Sequence, residues 1–267
     1  MSFKKLLFLA LAVAAPASVS AQAAAEQIFN RALVRIEQKD YDGAIKDLST
    51  VIDMMPTAES AVVNRGLAKW YKRDLDGALD DYDIAAEMTP TDPDVYLNRG
   101  LVYRDLHDAD KAAADFSRAI QLAPDRFDPY YQRALLRMEN KDANGATADL
   151  TKAIEIDPRD ANALFFRGQL RASLGKYDEA IADYTALLAI DPKRTDALNN
   201  RGNANFNKKN YAGAIPDYDK AIELAPNRAN YYLNRSKAYR KLGKLTQAAA
   251  DEKSAAQLIQ QQRNSSK

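Results

Sequence analysis

The sequence predicts an all-α fold, an α-α superhelix of seven helix-turn-helix repeats, and three observations carry the prediction. Pro56, Pro90, Pro124, Pro158, Pro192 and Pro226 stand 34 residues apart. Twelve residues before each stands an alanine, Ala44, Ala78, Ala112, Ala146, Ala180 and Ala214, and the series continues to Ala248. Two polar columns hold the same register through all seven units: Arg31, Arg65, Arg99, Arg133, Arg167, Arg201, Arg235 and Asp47, Asp81, Asp115, Asp149, Asp183, Asp217, Asp251. A fixed period of this length marks a solenoid, whose units bury their apolar faces only by stacking on one another.

Residues 1–21 read as an export signal. Lys4 and Lys5 precede an apolar run from Leu6 to Ala15, then Pro16 and small residues. Val19-Ser20-Ala21 and Ala21-Gln22-Ala23 are both small-x-small cleavage sites, placing the cut near 21 or 23. The alternative, an uncleaved anchor, meets a length limit: a span needs roughly 20 apolar residues. With no cysteine for a lipid anchor and no second apolar run, the mature chain is expected in the periplasm or secreted, without a membrane span.

The repeats are expected at 25–58, 59–92, 93–126, 127–160, 161–194, 195–228 and 229–262, leaving a tail at 263–267. In the first, the helices are expected near Glu26–Gln38 and Gly43–Met54. Asp42, Asp76, Asp110, Asn144, Asp178 and Thr246 stand where a side-chain oxygen would cap each second helix. Ala212 breaks that series and Pro216 follows one turn later, so the sixth repeat is expected to start its second helix least firmly. Asp92-Pro93 and Asp128-Pro129 read as a cap followed by proline at the first helical position. Each column proline should end a second helix. A small column on the first helices, Ala32, Gly66, Gly100, Ala134, Gly168, Gly202 and Ser236, permits close approach to the alanines of the second. Tyr82, Phe116, Leu150, Tyr184 and Tyr218 fill the space beside that contact.

With its 34-residue period, small–small pair, turn aromatics (Tyr41, Tyr177, Tyr211) and closing proline, the chain resembles the tetratricopeptide repeat family. The resemblance implies a right-handed superhelix with first helices lining its concave surface, and partner binding there. Departures are Ile28, Val62, Leu164 and Leu198 in place of an early aromatic, and Glu252 and Gln260 in the seventh repeat. Gln260 reads as part of a polar end cap. Some co-chaperones of the family hold a C-terminal carboxylate with Lys and Asn. Asn64 and Asn98 match that Asn slot, but Phe29 and Asp94 hold the basic ones, so this clamp is not expected.

Each column Arg precedes its Asp by 16 residues, which places both near mid-helix on antiparallel partners. The expected element is an intra-repeat ion pair, bidentate in geometry. The competing reading is a solvated pair worth about 0–1 kcal/mol. Both are scaffold chemistry.

Columns that vary between repeats mark the candidate binding surface. On the first helices the i, i+4, i+7 stripe reads Phe29, Leu33, Ile36; Val63, Leu67, Trp70 with neighbouring Tyr71; Leu97, Leu101, Arg104; Tyr131, Leu135, Met138. It continues with Phe165, then Asn199 and Asn203, then Lys237 and Arg240. Apolar groups give way to polar and cationic ones, so the stripe suits a protein or peptide with apolar anchors at one end and acidic groups at the other. Trp70 and Tyr71 are the leading anchors. The competing reading places these residues between repeats as core. Self-association, with one copy's end or convex face in another's groove, is the second functional reading.

Other classes lack their chemistry. The 38 basic and 37 acidic residues leave no basic footprint for nucleic acid. Without cysteine, and with His107 as the single histidine, thiol nucleophiles and thiolate or multi-His metal centres are excluded. No Gly-rich phosphate loop or nucleophile elbow is present. No enzyme activity, cofactor or metal is expected.

Overall fold

The computed structural model describes residues 19–265, so most of the expected export signal lies outside the described residues. Fourteen helices follow one another, with no strand among the described residues. They are α1 (Val19–Glu37), α2 (Tyr41–Met54), α3 (Glu59–Tyr71), α4 (Leu75–Met88), α5 (Pro93–Asp105), α6 (Ala109–Leu122) and α7 (Phe127–Glu139). Then come α8 (Ala143–Ile156), α9 (Ala161–Ser173), α10 (Tyr177–Ile190), α11 (Thr195–Asn207), α12 (Tyr211–Leu224), α13 (Ala229–Lys241) and α14 (Leu245–Ser265). Helix α1 starts earlier than expected and runs through both small-x-small motifs. The chain divides into two compact units, one up to Leu136 and one from Arg137.

Every hairpin turn has one residue in the left-handed region at the same register: Lys39, Arg73, His107, Lys141, Gly175, Lys209 and Gly243. In the first, Lys39 N–H donates to Ile36 O at 3.0 Å and Asp40 N–H to Arg35 O at 2.8 Å. These bonds close the last carbonyls of α1 in the double-bonded cap that a left-handed residue makes. His107 (φ 60°) is such a turn residue and is exposed.

The second helices are capped two residues before the expected positions. Asp40, Asp74, Asp108, Asp142 and Asn210 are the observed caps. Asp40, Asp74, Asp142 and Asn210 accept from the N–H of Gly43, Gly77, Gly145 and Gly213. Asp42, Asp76, Asp110, Asn144 and Asp178 sit inside the first turn instead. The expected weak start of the sixth repeat is therefore corrected: Asn210 caps α12, and Lys176 leaves α10 without a side-chain cap. Asp92 caps α5 ahead of Pro93 by accepting from Asp94 N–H at 2.8 Å. Asp128 and Pro129 already lie within α7. Second helices end two residues before each column proline, whereas α14, with Gln260 in that slot, continues to Ser265.

The small columns do what close packing requires. Ala44, Ala78, Ala112, Ala146, Ala180, Ala214 and Ala248 have no exposed surface. A Cβ added to Gly100 would stand 2.7 Å from Phe116 Cε1, and one on Gly202 2.7 Å from Tyr218 Cε1. The rings of Tyr82, Phe116, Tyr184 and Tyr218 are fully buried, each contributing about 2–3 kcal/mol from burial. Within each unit successive first helices touch, α1 to α3 to α5 and α9 to α11 to α13, while successive second helices do not to the same extent. First helices thus form the inner layer of each unit.

Candidate partner-binding site

The invariant columns meet. Arg31 Nε and Nη2 donate to Asp47 Oδ2 and Oδ1 at 2.8 and 2.7 Å. The same fork joins Arg99 to Asp115 at 2.8 and 2.8 Å, Arg201 to Asp217 at 3.0 and 2.6 Å, and Arg235 to Asp251 at 2.9 and 2.6 Å. Arg65–Asp81 and Arg167–Asp183 close to 2.6 Å. In the fourth repeat Asp149 accepts from Arg137 at 2.7 Å. The carboxylates are buried throughout, whereas the arginines keep an exposed edge and Arg31 is 56% exposed. The hydrogen bond from Arg31 holds the Asp47 carboxyl below its ordinary range.

A second column, missed in the sequence, explains where the rest of each arginine goes. Arg65 donates to Ser49, Arg133 to Ser117, Arg167 to Thr151 and Arg201 to Thr185, at 3.2, 2.9, 3.4 and 3.1 Å. Arg99 and Arg235 reach Asp83 and Asp219 at 2.7 and 2.6 Å. Each acceptor lies 16 residues before its arginine, in the preceding repeat. One guanidinium therefore bonds within its own repeat and staples it to the one before. The signal was legible as Ser, Asp, Ser, Thr, Thr, Asp at fixed spacing, with Lys253 in the seventh position.

The proposed stripe is corrected over much of its length. Phe29, Ile36, Val63, Leu67, Trp70, Leu97, Leu101, Tyr131, Phe165 and Asn199 are buried. Val63, Leu67, Trp70, Leu97 and Leu101 belong to one apolar core. The reason is that first helices pack side by side, so the i, i+4, i+7 face of one is covered by the next. Trp70 also spends its N–H internally, donating to Asp105 Oδ2 at 2.9 Å beside Arg73. Tyr71 is half-buried against Tyr41 at 5.6 Å, and burial, then Tyr41, pushes its hydroxyl above the usual range. Leu33, Arg104, Leu135, Met138 and Asn203 are partly open, and Lys237 and Arg240 are exposed. Arg104 donates to Gln132 at 2.5 Å, Asn203 accepts from Tyr218 at 2.8 Å, and Arg240 pairs with Glu252 at 2.7 Å.

The polar groups on the inner layer of the first unit form a separate constellation. Asn64 is 1% exposed and its Nδ2 donates to Ser60 O at 2.8 Å. A carbonyl can only face that amide's NH2, so Oδ1 is the free end. Asn64 Oδ1, Ser60 Oγ and Asn98 Oδ1 are buried and accept no hydrogen bond from the chain, and neither does Glu59 Oε1. Ser60 and Asn64 on α3 occupy the slots that Asp94 and Asn98 hold on α5, one repeat later. Burial, then the charges of Asp92 and Asp94, pushes the Glu59 carboxyl up, and a Thr89 hydrogen bond offsets only part. Burial also raises Asp92, despite its cap bond and Arg126. Arg126 Nη1 lies 2.6 Å from Asp94 Oδ1. Buried polar atoms without partners cost about 1–3 kcal/mol each, so several together need an explanation.

Among the described residues there is no group of His, Asp or Glu placed to hold a metal ion, and no helix is long and apolar enough to cross a membrane.

Hairpins of this register, closed by a column proline and locked at a small–small crossing, define a helical-repeat protein. The tetratricopeptide repeat family profile matches residues 63–127, 131–195, 174–229 and 199–263, and the chain belongs to that family. Among solved structures it is similar to YrrB, described as a TPR protein with an unusual peptide-binding site. That match has 25% identity and a TM-score of 0.62, covering 69% of this chain and 95% of the other. It is also similar to MamA (21%, TM-score 0.60, 62% and 96% covered) and to a tetratricopeptide repeat protein from Parabacteroides merdae (22%, 0.59, 88% and 93%). No curated protein matches by sequence.

Proposed function

We propose that this is an exported protein-interaction scaffold that holds a segment of a partner protein against the inner layer of its first helices. The observation that carries it is the set of buried acceptors on α3 and α5, Ser60 Oγ, Asn64 Oδ1 and Asn98 Oδ1, for which the chain supplies no donor. An extended segment carries a backbone N–H at each residue and can supply what is missing. The peptide-binding site described for YrrB supports the same use of the fold. The binding surface moves accordingly, from the buried apolar stripe to these acceptors and the partly open Leu33 and Arg104. On the second unit, exposed Lys237 and Arg240 suit an acidic stretch of a partner. Export rests on residues 1–21 and is tested by the N-terminal sequence of the protein recovered from its native compartment. A start near residue 22 or 24 is expected. Binding is tested by selecting peptides from a random library on the full chain. Peptides that bind Asn64→Leu/Asn98→Leu as well as the parent would overturn the assignment.

One observation favours self-association as a second reading. Residues 25–126 hold 13 basic against 20 acidic residues, whereas 195–262 hold 11 against 6. Asp76, Asp80, Asp83 and Glu87 form an exposed stripe on the outer face of α4, with only Asp83 paired to an arginine. Opposite charges on the two parts would draw copies together in low salt. Sedimentation at two salt concentrations decides: a sedimentation coefficient that is the same in both, and independent of protein concentration, removes the reading.

A further inference from the structure

We infer that the α3–α5 constellation recognises a cationic donor group, the guanidinium or ammonium of an Arg or Lys side chain on the partner segment. This rests on the inner-layer reading above and names the chemistry it selects. The first ground is the donor–acceptor inventory. Glu59 Oε1, Asn64 Oδ1 and Asn98 Oδ1 are acceptors only, Ser60 Oγ can accept, and none has a donor. What they accept is N–H, and a guanidinium carries five N–H donors and an ammonium three.

The second ground is charge. At the N-terminal ends of α3 and α5 the charges of Asp92 and Asp94 act on Glu59, and Arg126 pairs with Asp94. Asp92 is occupied in part by its cap bond to Asp94 N–H, and Asp94 by Arg126. Glu59 has one oxygen with no partner. Glu59, Asp92 and Asp94 remain partly exposed, while Asn64 and Asn98 stand one helical turn further along and are buried. The acidic groups thus stand nearer the helix ends and solvent than the neutral acceptors, an order that suits the charged tip of a basic side chain. The amides fix orientation and the carboxylates supply attraction.

A purely structural role makes the opposite prediction for one variant. A carboxylate that holds the fold together destabilises it when neutralised. A carboxylate crowded by like charges, and held ready for a ligand, stabilises the free protein when neutralised. Glu59→Gln is therefore expected to raise Tm while removing recognition.

The test is an NMR titration of the full chain with acetyl-Gly-Gly-Arg-Gly-Gly-amide, and with the Lys, norleucine and Glu versions. The Arg and Lys peptides should shift the side-chain NH2 signals of Asn64 and Asn98 saturably, with Arg and Lys compared directly to show which donor is preferred. In Glu59→Gln the affinity should fall at least tenfold, with Tm unchanged or higher. Norleucine shifting the same signals as strongly as Arg would overturn the cation assignment and leave the inner-layer reading standing. No shift with any peptide would remove both. A lower Tm for Glu59→Gln would identify the carboxylate as structural and overturn the inference on its own. Asn98→Leu, which deletes an unsatisfied atom without a charge change, should keep its Tm and lose at least tenfold in Arg affinity.

Discussion

Asp183→Asn removes the charge from a carboxylate that is 3% exposed and faces two guanidiniums. Arg167 donates through Nε and Nη2, with a shortest contact of 2.6 Å, and Arg171 through Nη1 at 2.7 Å. Their side chains are 12% and 17% exposed, so neither can turn fully to water when the negative charge is lost. Stranding one partner of a buried pair costs roughly 3–5 kcal/mol. Arg171 retains Glu179 at 3.2 Å and Arg167 retains Thr151, which places the expectation at the lower end, about 3 kcal/mol. Two comparisons isolate the cause. Asp47→Asn has the same chemistry, but its partners Arg31 and Arg35 are 56% and 31% exposed and can be solvated, so the loss should be smaller. Asp178→Asn disrupts an exposed pair with Lys208 and should fall within the ~0–1 kcal/mol of surface pairs. The assay is urea unfolding followed by circular dichroism, with hydrogen exchange of α9 and α10 amides to localise the effect. Equal losses in all three variants would refute the argument that burial of the stranded arginine sets the cost.

Three further predictions follow from single positions. His107→Gly removes a side chain from a left-handed residue (φ 60°), whose strain is about 1–2 kcal/mol, offset in part by greater freedom of the unfolded chain. A net gain of roughly 0.5–1 kcal/mol in urea unfolding is expected. Gly100→Ala drives a methyl to 2.7 Å from Phe116 and should cost about 1–3 kcal/mol in the same assay. The pH profile of Glu59→Gln tests linkage. In the parent, the raised Glu59 carboxyl, buried in part and faced by Asp92, Asp94 and Thr89, binds more proton folded than unfolded across its shifted range. Its contribution to stability therefore declines as pH rises from the ordinary glutamate range through the raised value. The Gln variant should lack that decline when Tm is measured across pH. An identical slope would contradict the assigned direction.

Most of the fold was legible because repetition separates packing from everything else. The alanine and proline columns placed all the helical hairpins, and the 16-residue spacing placed the ion pairs. What was not legible had physical reasons. The helix caps lay two residues earlier than read, because Asp40 and Asp42 are both good capping types and only backbone geometry chooses between them. The left-handed column was hidden because five of its seven positions hold Lys, Arg or His rather than glycine. The apolar stripe was read as an open surface, but a periodic apolar face looks the same in sequence whether its neighbour is solvent or another helix. Trp70 was the clearest case: it is buried, and Asp105 takes its N–H. Asn64 and Asn98 were noticed only as an incomplete carboxylate clamp. That their oxygens face no donor depends on where α3 and α5 lie, which spacing alone does not report.

The central claim is that the inner layer of α3 and α5 receives the partner. Hydrogen–deuterium exchange of the full chain, with and without a library-selected peptide, tests it most directly. Slowed exchange is expected in the first two turns of α3 and α5, around Ser60, Asn64, Asp94 and Asn98, with α4 and α6 unchanged. Slowing confined to the outer face of α4, at Asp76 to Glu87, with α3 and α5 unaffected, would contradict it.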